Sequence, residues 1–181
     1  MRDVAAQAEV SATTLYNLYN TKDELLLAAL RERITDSAAR AARESDGAGY
    51  GYLLAHVSNV CQETLGAPAY VAAIAQGLFR ASAGDPLTKV LLDGLREDTL
   101  RSLRAMRERG ELSPGIDAEE LAVALAGTFW SVFLLWDKGV LPLDRLERAH
   151  LNGYLSVLIP ATEGAARRDL ERRYAELNGL T

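Results

Sequence analysis

Apolar residues recur at helical spacing through most of the chain, and no segment shows sustained alternation of apolar and polar residues. Side chains that recur every three or four positions lie on one face of an α-helix, whereas a half-buried strand needs a period of two. Glycine, proline and polar capping residues separate the periodic stretches from one another. The pattern therefore predicts an all-α fold.

The first thirty residues predict two short helices, a tight turn between them and the start of a longer helix. Ser11 follows the turn and can cap the second helix, because its hydroxyl accepts from unpaired amides at a helix start. We expect Val10 to pack beneath the turn. Thr21 and Glu24 have the spacing of a capping box, which predicts that a third helix begins there. The two short helices share an apolar seam of Val4, Ala5, Ala8, Leu15, Leu18 and Tyr19.

This stretch resembles the DNA-binding region of the TetR family of transcriptional repressors. The matching positions are Asp3-Val4-Ala5, Ala8, Val10-Ser11, Thr14-Leu15-Tyr16, Tyr19, Lys22 and Glu24-Leu25-Leu26. The resemblance implies that residues 1–30 form a helix-turn-helix headpiece. In such a motif the second helix lies in the major groove of DNA, so the helix from Ala12 to Tyr19 is the candidate reading helix.

The stretch departs from the family pattern in three ways. Family members have a whole helix before it, so we expect that this chain lacks the first helix of the headpiece. Glu9 stands where the turn commonly carries glycine, and a left-handed backbone there costs glutamate more than glycine. Leu18 stands where a polar or aromatic residue is usual, which favours a packing role over a contact with DNA.

The resemblance also implies which side chains face DNA. Threonine and tyrosine hydroxyls can hold phosphates, asparagine can pair with adenine, and a threonine methyl can meet the methyl of thymine. A lysine at a helix start can bind a phosphate as a point charge. The alternative, that these residues are only exposed polar positions, stays open above all for Thr13 and Asn17. The candidate DNA contacts are Ala12, Thr13, Thr14, Tyr16, Asn17 and Lys22.

The resemblance implies that residues 31–181 form a helical ligand-binding and dimerisation domain. A long helix from Thr21 to about Ser45 connects it to the headpiece, and the glycines at 47, 49 and 51 predict a loop after that helix. The loop is no phosphate-binding loop, since no strand precedes it and no lysine follows. Further helices are expected from Asp85 to Arg109 and from Asp117 onward, each opened by an aspartate cap.

The segment from Leu121 to Trp136 is apolar on nearly all sides. A helix of this kind cannot bury its apolar surface on one face alone, so we expect it to pack on its own core and on a second chain. The next predicted helix starts at Asp144 and ends at Pro160. This pair resembles the dimerisation helices of the family, which form a four-helix bundle across a two-fold axis, and implies a homodimer.

Polar residues lie among aromatic residues in the predicted domain. Small molecules are commonly held in apolar pockets with a few convergent polar groups, and the resemblance implies such an effector pocket in each subunit. The alternative for every one of these residues is a core or surface role. The candidate ligand contacts are His56, Asn59, Gln62, Tyr70, Gln76, Phe79, Phe129, Trp130 and Phe133.

The composition limits the classes of function. The formal charge is -5, and the headpiece is not basic, which counts against strong DNA binding. The single cysteine, Cys61, excludes an internal disulfide and suits a reducing cytoplasm. The apolar run from Leu121 to Trp136 is shorter than the ~20 residues that span a bilayer. We therefore expect a soluble cytoplasmic protein without a membrane partner.

No catalytic motif, cofactor fingerprint or metal-ligand spacing is present in the sequence. His56 and His150 are too isolated to indicate a metal site, and structural roles are expected for both. We therefore expect neither an enzyme nor a bound cofactor. The hypothesis is a dimeric transcriptional repressor that a small molecule releases from a palindromic operator. The alternative, motivated by the missing helix and the acidic headpiece, is a helical dimer that binds a small molecule or a protein but not DNA.

Overall fold

A computed structural model describes Ala5 and residues 9–180, apart from the side chains of Ala12, Leu15 and Lys22. Within this range the chain is helical, with no strand and one isolated bridge between Leu112 and Thr162. The prediction of an all-α fold is confirmed. The chain forms two compact units, Met1–Asp36 and Ser37–Thr181. The predictions for Asp3, Val4 and Ala8 lie outside the described residues.

Eight helices make up most of the described chain. A helical turn at Pro86–Thr88 and a π-helical segment at Lys89–Asp93 lead into α5, and a 3-10 turn at Leu143–Arg145 leads into α7. The single helix predicted from Asp85 to Arg109 is therefore interrupted. The helices are α1 (Ala12–Leu18), α2 (Lys22–Arg43), α3 (Tyr50–Gly66), α4 (Pro68–Arg80), α5 (Gly94–Glu108), α6 (Ala118–Asp137), α7 (Leu146–Ala161) and α8 (Gly164–Asn178).

The turn before α1 has a left-handed backbone at Glu9, with φ of 55°. The amide of Val10 donates to the carbonyl of Ala5 over 3.0 Å. A hydrogen bond that closes six residues around a left-handed position is the Schellman arrangement that ends helices. Glu9 thus adopts a backbone conformation that glycine would adopt more easily.

Two predicted caps are present in the N-terminal unit. The hydroxyl of Ser11 accepts from the Thr14 amide over 3.0 Å, and the hydroxyl of Thr21 accepts from the Glu24 amide over 3.1 Å. The Glu24 carboxylate accepts from the amide of Asn20 over 3.0 Å, so this capping box reaches one residue before Thr21. These bonds satisfy amides that have no partner inside a helix, which fixes where α1 and α2 begin.

Two packing predictions for this unit are wrong. Leu18 is 69% exposed, so it does not lie in the predicted apolar seam, and Val10 is 41% exposed, so it does not pack beneath the turn. Leu18 is the last of only seven residues in α1, so no further turn of this helix lies beside it. Among the side chains of this unit that the structure describes, the buried apolar ones are Ala5 and Leu30.

The core of the C-terminal unit lies where α3, α5, α6, α7 and α8 meet. Helix α6 packs on α5 and α7, and α7 packs on α3 and α8. Gly153 in α7 permits one close approach, since a Cβ there would lie 2.4 Å from Cγ2 of Thr128 in α6. The most deeply buried apolar side chains are Tyr52, Val57, Leu103, Met106, Leu125, Phe133, Leu146, Tyr154, Leu158 and Leu170.

Two helix starts in this unit follow the predicted aspartate caps, whereas Asp144, predicted to start α7, lies in the 3-10 turn before it. Asp85 accepts from the Leu87 amide over 2.8 Å, and Asp117 accepts from the Glu119 amide over 2.7 Å. Pro160, predicted to end α7, lies inside its last turn. Proline there removes only one hydrogen bond, to the carbonyl of the exposed Ser156, so the turn remains helical.

Helix α6 has 20 residues, and it is the one helix of the described chain with the length and composition of a membrane span, at a mean hydropathy of 1.5. The apolar run from Leu121 to Trp136 is thus part of a longer helix, which begins before the run and ends after it. Only 33% of the apolar window is buried in the unit. Val123, Leu134 and Leu135 are exposed and form an uncovered apolar face.

Replacing Glu9 by glycine should stabilise the N-terminal unit by about 1 kcal/mol, because glycine adopts a left-handed backbone without the steric cost that glutamate bears. Amide hydrogen exchange over residues 10–18 should slow accordingly. The control is Glu32→Gly in the exposed interior of α2, which should speed exchange, since glycine weakens a helix interior. Unchanged or faster exchange in the Glu9→Gly variant would contradict the strain.

Candidate nucleic-acid interface and ligand cavity

Helix α1 presents polar side chains to solvent. Thr13, Thr14, Tyr16 and Asn17 are all exposed, and Tyr16 is 50% exposed. The Thr14 hydroxyl lies 2.8 Å from the Ser11 hydroxyl, so it also takes part in the cap. The side chains of two further predicted contacts, Ala12 and Lys22, lie outside the described residues. The four exposed side chains are therefore free of packing contacts that would bury them.

Helix α1 contains no charged residue, so the charged side chains nearest to it in the sequence belong to the residues before and after it. Glu9, Asp23 and Glu24 are exposed on either side of it in the sequence. A neutral helix can still bind phosphate through hydroxyls and backbone amides, which supply many of the positioning contacts in protein–DNA complexes. The electrostatic part of such binding would have to come from lysine or arginine, as for Lys22.

The aromatic members of the predicted ligand site form one cluster between α4 and α6, which we call the aromatic cluster. The rings of Phe79 and Trp130 are 6.4 Å apart, and those of Phe129 and Trp130 are 5.2 Å apart, both edge to face. Phe133 lies 5.1 Å from Phe129. Phe129 and Phe133 are buried, so these two predicted ligand contacts instead pack between helices.

The polar members of the predicted ligand site do not converge. Three amides each donate to a different carboxylate: Asn59 to Glu44 over 2.9 Å, Gln62 to Glu147 over 3.0 Å, and Gln76 to Asp137 over 2.7 Å. His56 stacks on Tyr52, 5.9 Å between ring centres, and Tyr70 is half-buried on α4. Gln62 and Gln76 thus join neighbouring helices, and Asn59 joins α3 to the residue after α2. None of the nine candidates lines the cavity described below.

A histidine outside the candidate set joins three helices. His150 of α7 is fully buried, with Nε2 3.1 Å from the Phe129 carbonyl of α6. Its Nδ1 lies 3.5 Å from Cys61 Sγ of α3 and 3.1 Å from the Leu146 carbonyl. A neutral imidazole donates from one nitrogen only. With the proton on Nε2, that nitrogen donates to Phe129 and Nδ1 accepts from the Cys61 thiol, so both nitrogens have a partner.

Burial keeps this contact neutral. It lowers the pKa of His150 to about 4, against the smaller opposing effect of the two backbone carbonyls. Burial also raises the pKa of Cys61 to about 12, so the thiol keeps the proton that it donates. The pair therefore acts as a structural contact, which agrees with the role expected for His150, and supplies no thiolate nucleophile.

A cavity of about 560 Å³ opens between α3, α7, α8 and the loop that follows α2, and we call it the α2-end cavity. The apolar side chains of Leu54, Leu151, Leu155 and Leu177 form part of its wall. Its volume lies within the range of pockets that hold small organic molecules. The charged side chains that line it are Glu44, Asp46, Arg109, Glu111, Arg173 and Glu176.

Both arginines of the α2-end cavity are neutralised by carboxylates. Arg109 binds Glu111 through two hydrogen bonds, of 3.0 and 3.1 Å, and Arg173 binds Asp169 over 2.7 Å. The Arg109 guanidinium lies against the backbone of Gly49, where a Cβ would be 2.0 Å from it. Gly49 has φ of 93°, a backbone that favours glycine. The cavity wall around Arg109 therefore depends on this glycine.

The loop at the cavity follows directly from α2. Near the end of that helix, Arg40 donates to Glu63 and to the Asn59 carbonyl of α3, each over 3.2 Å. Asn59 in turn holds Glu44, one residue after α2. The last turn of α2 is thus tied to α3 by side chains that reach the cavity wall.

Sequence reasoning missed the cavity residues. The glycines at 47, 49 and 51 indicated a loop, and Tyr50 between them begins α3 and lines the cavity. Burial raises the pKa of Tyr50, and the nearby Asp169 carboxylate raises it further. The sequence feature that could have indicated the cavity is Tyr50 between two glycines, close to the acidic residues Glu44 and Asp46 at the end of a long helix.

Among the described residues, no group of three or more histidine, cysteine, aspartate or glutamate side chains is placed to hold a metal ion. Comparisons of the chain with protein-family models, with curated proteins and with solved structures find no match.

The neutral His150 contact predicts a pH dependence of stability. Its pKa is depressed in the folded state, so the unfolded chain binds more protons between pH 6.5 and pH 4, and stability falls as the pH falls through this range. From pH 7 to pH 5 the free energy of unfolding should drop by about 2 kcal/mol from this group. Urea unfolding, followed by the fluorescence of Trp130 and Trp136, measures the loss.

The variant His150→Gln should lose most of this pH dependence, although it is less stable at pH 7. Burial also lowers the pKa of His56, so this residue too makes the free energy of unfolding fall as the pH falls. The variant His56→Gln therefore serves as the comparison for His150→Gln. An equal loss of stability between pH 7 and pH 5 in wild type and His150→Gln would show that the imidazole is not the source.

Proposed function

We propose that the protein is a ligand-responsive, DNA-binding transcriptional regulator that resembles the TetR family and acts as a repressor. The observation that supports this most directly is the N-terminal turn. After a left-handed turn at Glu9, the residues that match the family motif form a capped α1 with exposed polar side chains and a capped start of α2. The α1 helix would enter the major groove and α2 would carry the motion to and from the C-terminal unit.

A palindromic operator requires two copies of the reading helix. The exposed apolar face of α6, with Val123 at 66% exposure and with Leu134 and Leu135, supports a homodimer in which α6 and α7 of two chains pack together. Dimers of this kind bind two half-sites one helical turn of DNA apart, or a multiple of that spacing. The symmetry of the protein would then match the symmetry of the operator.

Release by a small molecule would act through α2. This helix runs from Lys22 to Arg43 and so has residues in both compact units. An effector that binds two states of the C-terminal unit with different affinity shifts their populations, and a coupling of about 1–3 kcal/mol changes operator affinity by roughly 5–150-fold. The α2-end cavity lies where such an effector would touch the residues after α2.

Replacing Tyr16 or Lys22 by alanine should weaken operator binding about tenfold, because each loses a contact to phosphate. Fluorescence anisotropy with DNA that flanks the protein's own coding sequence, titrated at several salt concentrations, measures this. The Lys22→Ala variant should also reduce the slope of log affinity against log salt by about 1. Lys89, exposed in the π-helical segment, supplies the control, and Lys89→Ala should bind as wild type does.

Unchanged affinity in the Tyr16→Ala and Lys22→Ala variants would remove these residues from the interface. If wild-type protein shows no preference for the flanking DNA over scrambled DNA, even at low salt, the regulator proposal fails. The alternative of a helical binding module without DNA contact would then take its place.

The dimer proposal predicts that Leu135→Arg produces monomers, since a charge in the centre of an apolar interface loses its hydration. Multi-angle light scattering after size-exclusion chromatography gives the mass. The control is Leu180→Arg, because Leu180 is 70% exposed near the end of the chain and lies outside α6 and α7. A wild-type mass equal to that of one chain would overturn the dimer.

A further inference from the structure

We propose that the α2-end cavity binds a small organic cation, namely an ammonium or guanidinium group on an apolar body, and that this cation is the effector. The second half of this statement rests on the proposed function, whereas the binding itself does not.

The arginines of the cavity leave no free positive charge for an anion. Arg109 has both oxygens of Glu111 as partners, and Arg173 has Asp169. A carboxylate or phosphate ligand could use their remaining N–H donors, but it would bring a further negative charge to a cavity whose arginines are already neutralised. Anions are therefore disfavoured.

Two carboxylates at the same cavity accept no hydrogen bond from a cationic side chain among the described residues. Glu44 accepts only from the neutral amide of Asn59, and Asp46 acts on Arg109 through space, while both hydrogen bonds of Arg109 go to Glu111. The other acidic residue facing the cavity from α8, Glu176, accepts from Arg172. The uncompensated charge of the cavity is thus negative and lies on the loop directly after α2.

The apolar wall excludes a bare metal ion as the best occupant. Leu54 and Leu155 are buried, and Leu151 and Leu177 are half-buried, so the cavity offers more apolar contact than an ion can use. The described residues also bring no third carboxylate, histidine or cysteine into ligand distance of Glu44 and Asp46. A monovalent organic cation satisfies both the carboxylates and the leucines.

Binding at Glu44 would act on α2 through one hydrogen bond. Asn59 holds Glu44, and the carbonyl of Asn59 accepts from Arg40 in the last turns of α2. A cation competes with the Asn59 amide for the Glu44 carboxylate, since a charged donor binds a carboxylate more strongly than a neutral one. Occupation of the cavity therefore loosens the link between α3 and the end of α2.

Three probes of equal shape and different charge test the inference. They are 4-phenylbutylamine, 4-phenylbutan-1-ol and 4-phenylbutanoate, each titrated into the full chain by isothermal calorimetry. We expect one amine per chain, bound about tenfold more tightly than the alcohol, because two exposed carboxylates each contribute a modest attraction in water. The carboxylate probe should bind most weakly.

The double variant Glu44→Gln with Asp46→Asn should bind the amine and the alcohol alike. Glutamine keeps an oxygen that accepts from Asn59, and both positions are exposed, so the fold is retained. The control is Asp93→Asn, an exposed aspartate outside the cavity, which should keep the preference for the amine. Equal binding of the probes by wild type, binding of none, or a preference that survives in the double variant overturns the cation site.

A separate titration tests the effector role. Saturating 4-phenylbutylamine should weaken operator binding of wild type at least fivefold and leave that of the double variant unchanged. If the amine binds without changing operator affinity, the cavity is a cation site but the effector assignment is wrong. If the chain binds no operator DNA, the proposed function fails, and calorimetry alone decides whether the cation site is correct.

Discussion

The packing of the C-terminal unit depends on one buried imidazole. His150 contacts a carbonyl of α6 and a thiol of α3 from its position in α7, so three helices are set in register by a single side chain. Its surroundings are the rings of Phe129 and Phe133, 5.2 and 4.8 Å away, which keep water out. A polar group at such a place restricts the helices to arrangements that satisfy it, whereas apolar side chains alone tolerate several.

The aromatic cluster and His150 lie apart from the α2-end cavity, since none of them lines it. Gln62 and Gln76, also predicted as ligand contacts, already donate to Glu147 and Asp137. The cavity lies where α3, α7 and α8 meet the loop after α2. A molecule bound there would contact the core side chains of Leu54 and Leu155, and also the end of α2, which is held by a few side-chain contacts.

The sequence was sufficient for the parts of the fold that local chemistry determines. Ser11, Thr21, Asp85 and Asp117 cap helices as their residue types predict, since a cap depends only on neighbours within three positions. The amide candidates for ligand contact do not come together, because each is held by a partner remote in the sequence. Gln62 bonds Glu147 and Gln76 bonds Asp137, and no periodicity shows which carboxylate a given amide will meet. The cavity was hidden for the same reason, since it depends on how three helices and a loop meet.

The π-helical segment Lys89–Asp93 bears on how the chain can change in length. Its hydrogen bonds span five residues where an α-helix spans four, so the segment contains in effect one added residue. That residue turns all the following side chains of α5 by about 100° relative to those of Pro86–Thr88. Leu91 is buried inside the segment, and Leu100, Leu103 and Met106 are buried after it. We therefore expect natural variants to tolerate the gain or loss of a single residue at this point, because the helix already changes phase here. In α6 and α7 the same change would rotate buried side chains out of the core, so we expect selection to remove it.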